Sequence, residues 1–413
     1  MELHKFKLGD ICVFNKESIS YKDNLSEIAY LDTSSITENR IEELQYLQYC
    51  DAPIRAKRKV RHNTIVYSSV RPRLKHYGII INPPKNLIIS TGFITIDIKK
   101  EFINMLDAYY LFYYLTKPSI TEKLANIADT AVSAYPSINP QDLSDIIVEC
   151  PNLIEQKKIA QIMLNIDRKI ALNRAINHTL EAMAKPLNDY WFVQFDFPNA
   201  DGKPYKSSGG KMMWNNKFNR ELPSEWTDGK LIDIATITMG QSPDGSSYNE
   251  DGNGTLFYQG STDFGVRFPS VRQYTTSPSR MANKGDILMS VRAPVGAMNI
   301  ANNDCCIGRG LSALNSKIGS ITHLYYILND LRVAFEQHNA AGTTFGSITK
   351  DDLHNLPVIV PPNDIMEKFE KLCQPMFDIQ MKLGEEIEDL IKLREELLPL
   401  LMNGQVSVNY DLT

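Results

Sequence analysis

The sequence predicts an α/β protein with a pseudo-twofold internal repeat: two related domains separated by two long antiparallel helices forming a coiled coil. Three observations predict this. Short segments recur in the same order at offsets of 210 to 223 residues. Each half opens on short β-type runs bounded by turn residues. Each half closes on an apolar stripe of helical spacing, on the order of 35–40 residues long.

The recurring segments come in three pairs. Leu8-Gly9-Asp10-Ile11 matches Leu231-Ile232-Asp233-Ile234, an offset of 223. Ser69-Val70-Arg71 matches Ser290-Val291-Arg292, an offset of 221. Ile138-Asn139-Pro140-Gln141-Asp142-Leu143 matches Ile348-Thr349-Lys350-Asp351-Asp352-Leu353, an offset of 210. A period this long indicates a duplicated domain pair rather than a solenoid of 20–50-residue units.

Within the first half, Thr64-Ile65-Val66-Tyr67 and Leu87-Ile88-Ile89 read as strands, with a turn at Asn82-Pro83-Pro84. In the second half, Asp286-Ile287-Leu288-Met289 follows Lys284-Gly285 in the same manner. A helix is expected around Tyr109–Leu115. The first long helix follows Pro151, with apolar residues at Ile159, Ile162, Ile166, Ile170, Ile176, Leu180, Met183 and Leu187, and Pro186 should kink or end it. The second follows Pro361-Pro362 and runs through Phe369, Cys373, Phe377, Leu383, Ile387, Leu390, Leu397 and Leu401. Pro375 inside it predicts a kink or a late start, and Gly404 a stop. Helices this long usually need a partner helix to bury their stripe, and the other copy is the natural one. Phe197 to Pro204 and Ser207-Ser208-Gly209-Gly210 have linker composition. The expected organisation is therefore a first domain over 1–150, a helix over 151–196, a linker over 197–221, a second domain over 222–360, and a helix with tail over 361–413.

The 413 residues allow two to four domains and have an ordinary globular composition, with 43% hydrophobic and 23% charged residues. No apolar run reaches the ~18 residues of a membrane span, and the N-terminus carries no signal-peptide pattern. The six scattered cysteines form no CxxC pair, as expected of reduced cytoplasmic thiols. There is no GxxxxGK[ST] loop, HExxH or GxSxG. Asn82-Pro83-Pro84-Lys85 has a lysine where amino-methyltransferase loops carry an aromatic, and is expected to be a turn. Gly308-Arg309-Gly310 is too short and isolated to count as a phosphate cradle. Catalytic, cofactor and metal residues are therefore expected to be absent from this chain.

The net charge of −5 hides its distribution. Residues 1–150 are neutral, 151–350 carry +3, and 351–413 carry −8. Residues 55–75 hold eight basic groups and no acidic one: Arg55, Lys57, Arg58, Lys59, Arg61, Arg71, Arg73 and Lys75. Such a run brackets a predicted strand, and its side chains can neutralise phosphates or read base edges. A looser counterpart in the second domain comprises Arg267, Arg272, Arg280, Lys284, Arg292 and Arg309, with Gln259, Ser261 and Tyr274 among them. Two polar loops preceding the last repeat motif add Tyr135 in one copy and Thr343 and Thr344 in the other. Double-stranded DNA is the expected partner. Two related but unequal domains on a helical spacer would read two different half-sites a fixed distance apart.

The motifs in their order also resemble a family. Leu222-Pro223-Ser224-Glu225-Trp226, Leu231 to Ala235 and Gly240-Gln241-Ser242-Pro243 look like the opening of a target-recognition domain in the specificity subunits of Type I restriction–modification systems. Lys284-Gly285-Asp286-Ile287-Leu288 with Ser290-Val291-Arg292 is similar to that domain's inner strand motif. Pro151 to Ala160 looks like the start of the family's spacer helix, and Trp191 to Asp196 like its end. The resemblance implies two target-recognition domains in a non-catalytic, cytoplasmic subunit used in phage defence. It implies two methyltransferase subunits that carry S-adenosylmethionine and methylate adenine, and a restriction/translocase subunit. It also places partner-subunit contacts at Glu155, Gln156, Ile159, Trp191 and Phe192. The second helix departs from the first, with Ile365-Met366-Glu367 in place of Glu155-Gln156-Lys157. Two other functions predict different behaviour. A self-contained DNA methyltransferase would bind S-adenosylmethionine by itself, and a coiled-coil interaction scaffold would not bind DNA.

Overall fold

A computed structural model of the chain describes residues 3–130, 136–340 and 347–406. It divides into two compact units, one of residues 1–170 with 390–413 and the other of residues 171–389. The division falls within both long helices, so each unit combines one strand-rich domain with part of each helix.

In the first unit, Gln45–Gln48, Glu27–Leu31, Leu87–Ser90 and Ala56–Lys59 form one four-stranded sheet in that spatial order. Cys12–Phe14, Phe93–Ile98, Thr64–Ser68 and Tyr77–Ile80 form another. The strands Thr64–Ser68, Tyr77–Ile80 and Leu87–Ser90 are buried along their whole length, so they read as unbroken apolar runs rather than alternating ones. Their side chains meet in a core of Ala29, Leu31, Val66, Ile80, Ile89 and Phe93.

The second unit repeats this plan. Ala235–Met239, Leu311–Ser316, Ile287–Ser290 and Met298–Ile300 form a sheet of the same order as the second one above. Tyr274–Thr275, Thr255–Tyr258, Cys305–Ile307 and Met281–Ala282 correspond to the other, with Tyr248–Asn249 added at its edge. In both copies a single pair of the sheet is parallel: Glu27–Leu31 with Leu87–Ser90, and Thr255–Tyr258 with Cys305–Ile307. A separate antiparallel ladder closes each copy, His4–Lys7 on Ile147–Cys150 and Thr227–Lys230 on Pro357–Val360. The third repeat motif caps a short helix identically twice. Asn139 and Asp142 exchange side-chain and backbone hydrogen bonds in a capping box, as do Thr349 and Asp352.

The ladders correct one repeat register. Ser68 pairs with Phe93, and Ser290 pairs with Leu311, while the partners of both strands align. Ser69 N–H donates to Gly92 O, and Val291 N–H to Gly310 O. Ser69 is thus equivalent to Val291, and the offset here is 222 rather than 221. The identical letters Ser-Val-Arg lie one residue out of structural register.

Helix Ala108–Leu115 forms where expected, its first turn capped by the Asp107 carboxylate on Tyr110 N–H. The first long helix spans Leu153–Asn188 and passes through Pro186 before a wider turn over Asp189–Val193. The second spans Asn363–Met402, includes Pro375 without a late start, and stops at Gly404, whose φ of 70° is left-handed. In the second unit the two helix segments run antiparallel: Asn173 Nδ2 donates to Glu386 Oε2 at 2.8 Å, and Gln380 Nε2 donates to Asn177 O at 3.2 Å.

Residues 197–221, expected to be a linker, are folded. Phe197 stacks on Trp226 and Tyr205, and Met212–Asn215 pairs with Arg220–Pro223. Glycine and serine content misled here because three aromatic rings anchor the segment. Among the described residues no helix is long and apolar enough to cross a membrane, and the six cysteines are free thiols.

Candidate nucleic-acid interface

The basic run of the first unit separates into two populations. Arg55 and Lys57 are exposed, at and beside the strand Ala56–Lys59. Arg71 is exposed too, in a left-handed conformation at φ 48°, its N–H donating to Pro136 O at 2.9 Å. Arg58 is half-buried, and burial pushes its guanidinium pKa down. The other four are held by carboxylates of the same unit. Lys59 is paired with Asp23. Arg61 Nε donates to Asp97 Oδ1 at 3.1 Å, and Thr64 adds a second bond to that oxygen. Arg73 reaches Asp129 at 2.6 Å and Glu122 at 2.9 Å, and Lys75 reaches Glu38 at 2.7 Å. The sequence could not show this, because every one of these acids lies outside residues 55–75.

Glu38 is in turn bound by Arg394, whose Nη2 donates to its Oε2 at 3.3 Å while Nη1 donates to Asp167 Oδ1 at 3.2 Å. Burial raises the Glu38 carboxyl, and Lys75 and Arg394 more than offset it, leaving it below the usual carboxylate range. Tyr113 donates to the other Asp167 oxygen at 2.6 Å.

In the second unit the structure gathers residues from four loops around a cleft of about 230 Å³. Gln259, Ser261, Arg292, Arg309 and Ser242 line it. Three glycines allow the loops to approach. A Cβ on Gly240 would lie 2.1 Å from Gly308 O, one on Gly308 would lie 3.0 Å from Gln259 Cα, and one on Gly310 would lie 2.7 Å from Gln259 O. Gly308-Arg309-Gly310 is thus one wall of a cleft, which its isolation in the sequence concealed. Sequence reasoning missed Ser242, Gly260 and Thr262 as cleft residues. Their signal was the recurrence of single glycines beside polar residues.

The remaining candidates separate from this cleft. Arg272 is exposed beside Asp263 at 3.6 Å and donates to Thr262 O at 3.1 Å. Tyr274 is half-buried on its strand, and Arg280 is exposed. Arg267 corrects an expectation. Its guanidinium lies over the Phe377 ring at 5.1 Å and donates to Gln380 at 3.3 Å, so it faces the long helix. Tyr135, Thr343 and Thr344 lie outside the described residues.

The residues expected at partner-subunit contacts are largely internal. Gln156 is fully buried, accepting from Asp107 N–H at 2.9 Å and donating to Met105 O and Pro151 O at 2.8 Å each. Ile159 is buried beside it in the chain, whereas Glu155 is half-buried and Ile154 is 64% exposed. Trp191 and Phe192 pack on Met366, Phe369 and Trp226. Met366 holds the place that Gln156 holds in the first copy, since the flanking ladders share the 210-residue offset. The first copy spends this position on hydrogen bonds to a loop, and the second on an apolar core.

Asn82-Pro83-Pro84 forms a loop between two strands, with Leu87 N–H donating to Pro84 O. Among the described residues no group of three or more His, Cys, Asp or Glu side chains could hold a metal ion.

The family profile described as "Type I restriction modification DNA specificity domain" matches residues 2–182 and again 223–392. The chain is 23% identical to the Type I restriction enzyme HindI specificity subunit of Haemophilus influenzae, over 97% of this chain and 99% of that one. It is 26% identical to the Type I restriction enzyme MjaIX specificity subunit of Methanocaldococcus jannaschii, over 84% of this chain and 78% of that one. A Type-I restriction-modification system S subunit from M. genitalium has the same fold, with a TM-score of 0.57 at 16% identity, covering all of this chain and 97% of that one.

Proposed function

Since this chain belongs to the family of Type I restriction modification DNA specificity domains, we propose that it is the DNA-recognition subunit of a Type I restriction–modification complex. It reads a two-part, asymmetric DNA target and has no catalysis of its own. Adenine methylation is carried out in the cytoplasm by two methyltransferase subunits that bring S-adenosylmethionine, and a restriction/translocase subunit completes the complex.

The observation that carries this reading is the duplicated domain with unlike exposed surfaces. The strand order is shared, so both copies present loops at equivalent places. On their exposed surfaces the first copy carries Arg55, Lys57 and Arg71, and the second carries Gln259, Arg292 and Arg309. Phosphate contacts from such cations position a duplex, and unlike side chains at base edges specify unlike sequences. Because Gln156, Ile159, Trp191 and Phe192 are internal, methyltransferase contact near them falls to the exposed neighbours Ile154 and Lys157 and the half-buried Glu155.

The test is to produce the chain with its methyltransferase partner and sequence the modified bases of the host DNA. The expected result is a split motif of two unlike halves, and tight binding of a duplex carrying it. Methylation without a defined motif, or S-adenosylmethionine binding by this chain alone, would overturn the reading.

A further inference from the structure

The ladders identify which residues of the two copies occupy the same place. Leu31 pairs with Ile89, and Tyr258 pairs with Ile307, on equivalent parallel strands. The residues that follow these strands are therefore counterparts: Asp32 in the first copy and Gln259 in the second. By the same reasoning Val70 corresponds to Arg292. Val70 bridges to Ser137, and Arg292 bridges to Ser347. Ser68 Oγ donates to Val70 O at 2.9 Å, and Ser290 Oγ donates to Arg292 O at 2.7 Å. One scaffold thus carries an acid and an apolar residue in one copy, and an amide and a guanidinium in the other.

The second copy's cleft has a definite chemistry. Its described lining includes two guanidiniums, Arg292 and Arg309, and no carboxylate. Gln259, Arg292 and Arg309 are all exposed, and Ser261 and Ser242 line the same cleft. The loops are pinned by backbone bonds, Gln241 N–H to Ile307 O at 3.0 Å and Gly308 N–H to Tyr258 O at 2.8 Å. Two forked donors carried on loops held by backbone bonds fit an edge with two adjacent acceptors. Guanine offers O6 and N7 in the major groove, and a guanidinium can bond both at once.

Resting on the DNA-recognition reading above, we propose that the cleft of Gln259, Arg292 and Arg309 is a base-reading site of the second domain, specifying guanine. The counterpart pair Asp32 and Val70 cannot make this contact. The asymmetry of the target therefore arises from residue differences at equivalent backbone positions.

The experiment compares the wild-type complex with Arg292→Ala, Arg309→Ala and Arg292→Lys, each produced with the methyltransferase partner. Sequencing of modified bases gives the motif, and duplex binding is measured from low to moderate salt. Expected is relaxation at one G·C position, in one half of the motif, with discrimination against other bases falling by roughly ten- to a hundredfold. Arg292→Lys keeps the charge and loses the fork, so it should relax the same position with the salt dependence unchanged. A wild-type motif with no G·C pair in either half would overturn the proposal, as would an unchanged motif in all three variants. So would weakening that is equal on every duplex and comes with a shallower salt slope, the behaviour of phosphate contacts. In all those cases the wild-type split motif would still stand for the subunit's function. A wild-type complex without sequence preference would overturn the function itself.

Discussion

Val70 and Arg292 occupy the same position of two copies of one fold, each bridging to the residue before an isoleucine that begins the last repeat motif. In the first copy the exposed arginine is the next residue, Arg71, turned into the left-handed region. The same three letters, Ser-Val-Arg, therefore place their arginines one residue apart in the structure.

Arg71→Ala and the double change Arg55→Ala with Lys57→Ala should weaken DNA binding by the assembled complex. Each lost phosphate contact should make the salt slope shallower by about 0.9. Arg73→Ala should leave the affinity near wild type, because Glu122 and Asp129 hold that guanidinium. Filter binding across a salt series measures all three. A larger loss for Arg73→Ala than for Arg71→Ala would contradict the division of the basic run.

Gly240→Ala should disable the second domain's cleft. The added methyl meets Gly308 O at 2.1 Å and Leu311 O at 2.8 Å, both backbone atoms, so one of the loops must move. Sequencing of modified bases should show loss of methylation at the wild-type motif. Gly245→Ala, where a Cβ meets nothing within 4 Å, should leave methylation intact.

Arg394→Ala should destabilise the first unit by about 3 kcal/mol, because it leaves Asp167 and Glu38 without their shared partner in a largely buried place. Chemical denaturation measures the loss. A double-mutant cycle with Asp167→Asn should show coupling, since the two groups bond directly.

His323 should make the second unit sensitive to acid. It lies fully buried against the Phe192 ring, with Asn188 Oδ1 at 3.4 Å, and burial pushes its pKa down to about 3. A histidine that is harder to protonate when folded contributes stability in full above its ordinary value near 6.5. That stability is lost as pH falls from there toward about 3, since the unfolded chain takes the proton first. His323→Leu should flatten the fall in melting temperature between pH 7 and pH 5. An unchanged slope would remove His323 as its source.

The duplication, the buried strands at Thr64–Ser68 and Leu87–Ser90 and both long helices were legible in the sequence. Each rests on local periodicity or on a repeated cap, and these act within a few residues. The late start allowed for at Pro375 does not occur. A missing N–H removes one hydrogen bond, while Phe369, Cys373 and Phe377 bury their side chains on either side of it. The folded segment over 197–221 was hidden because part of its order comes from Trp226, outside the segment itself.

What the sequence by itself determined is the architecture and the family: two like domains, two long helices, and motifs in a recognisable order. The tertiary structure alone decided which cations of residues 55–75 are held by carboxylates. Lys59, Arg61, Arg73 and Lys75 look the same as Arg55 and Lys57 in a string of letters, yet carboxylates 36 to 56 residues distant hold them. It also decided that Gln156 and Trp191 are interior, and that Gln259, Arg292 and Arg309 meet in one cleft. Coulombic pairing and burial depend on distance in space, which strand pairing sets across dozens of residues, and no local pattern encodes it.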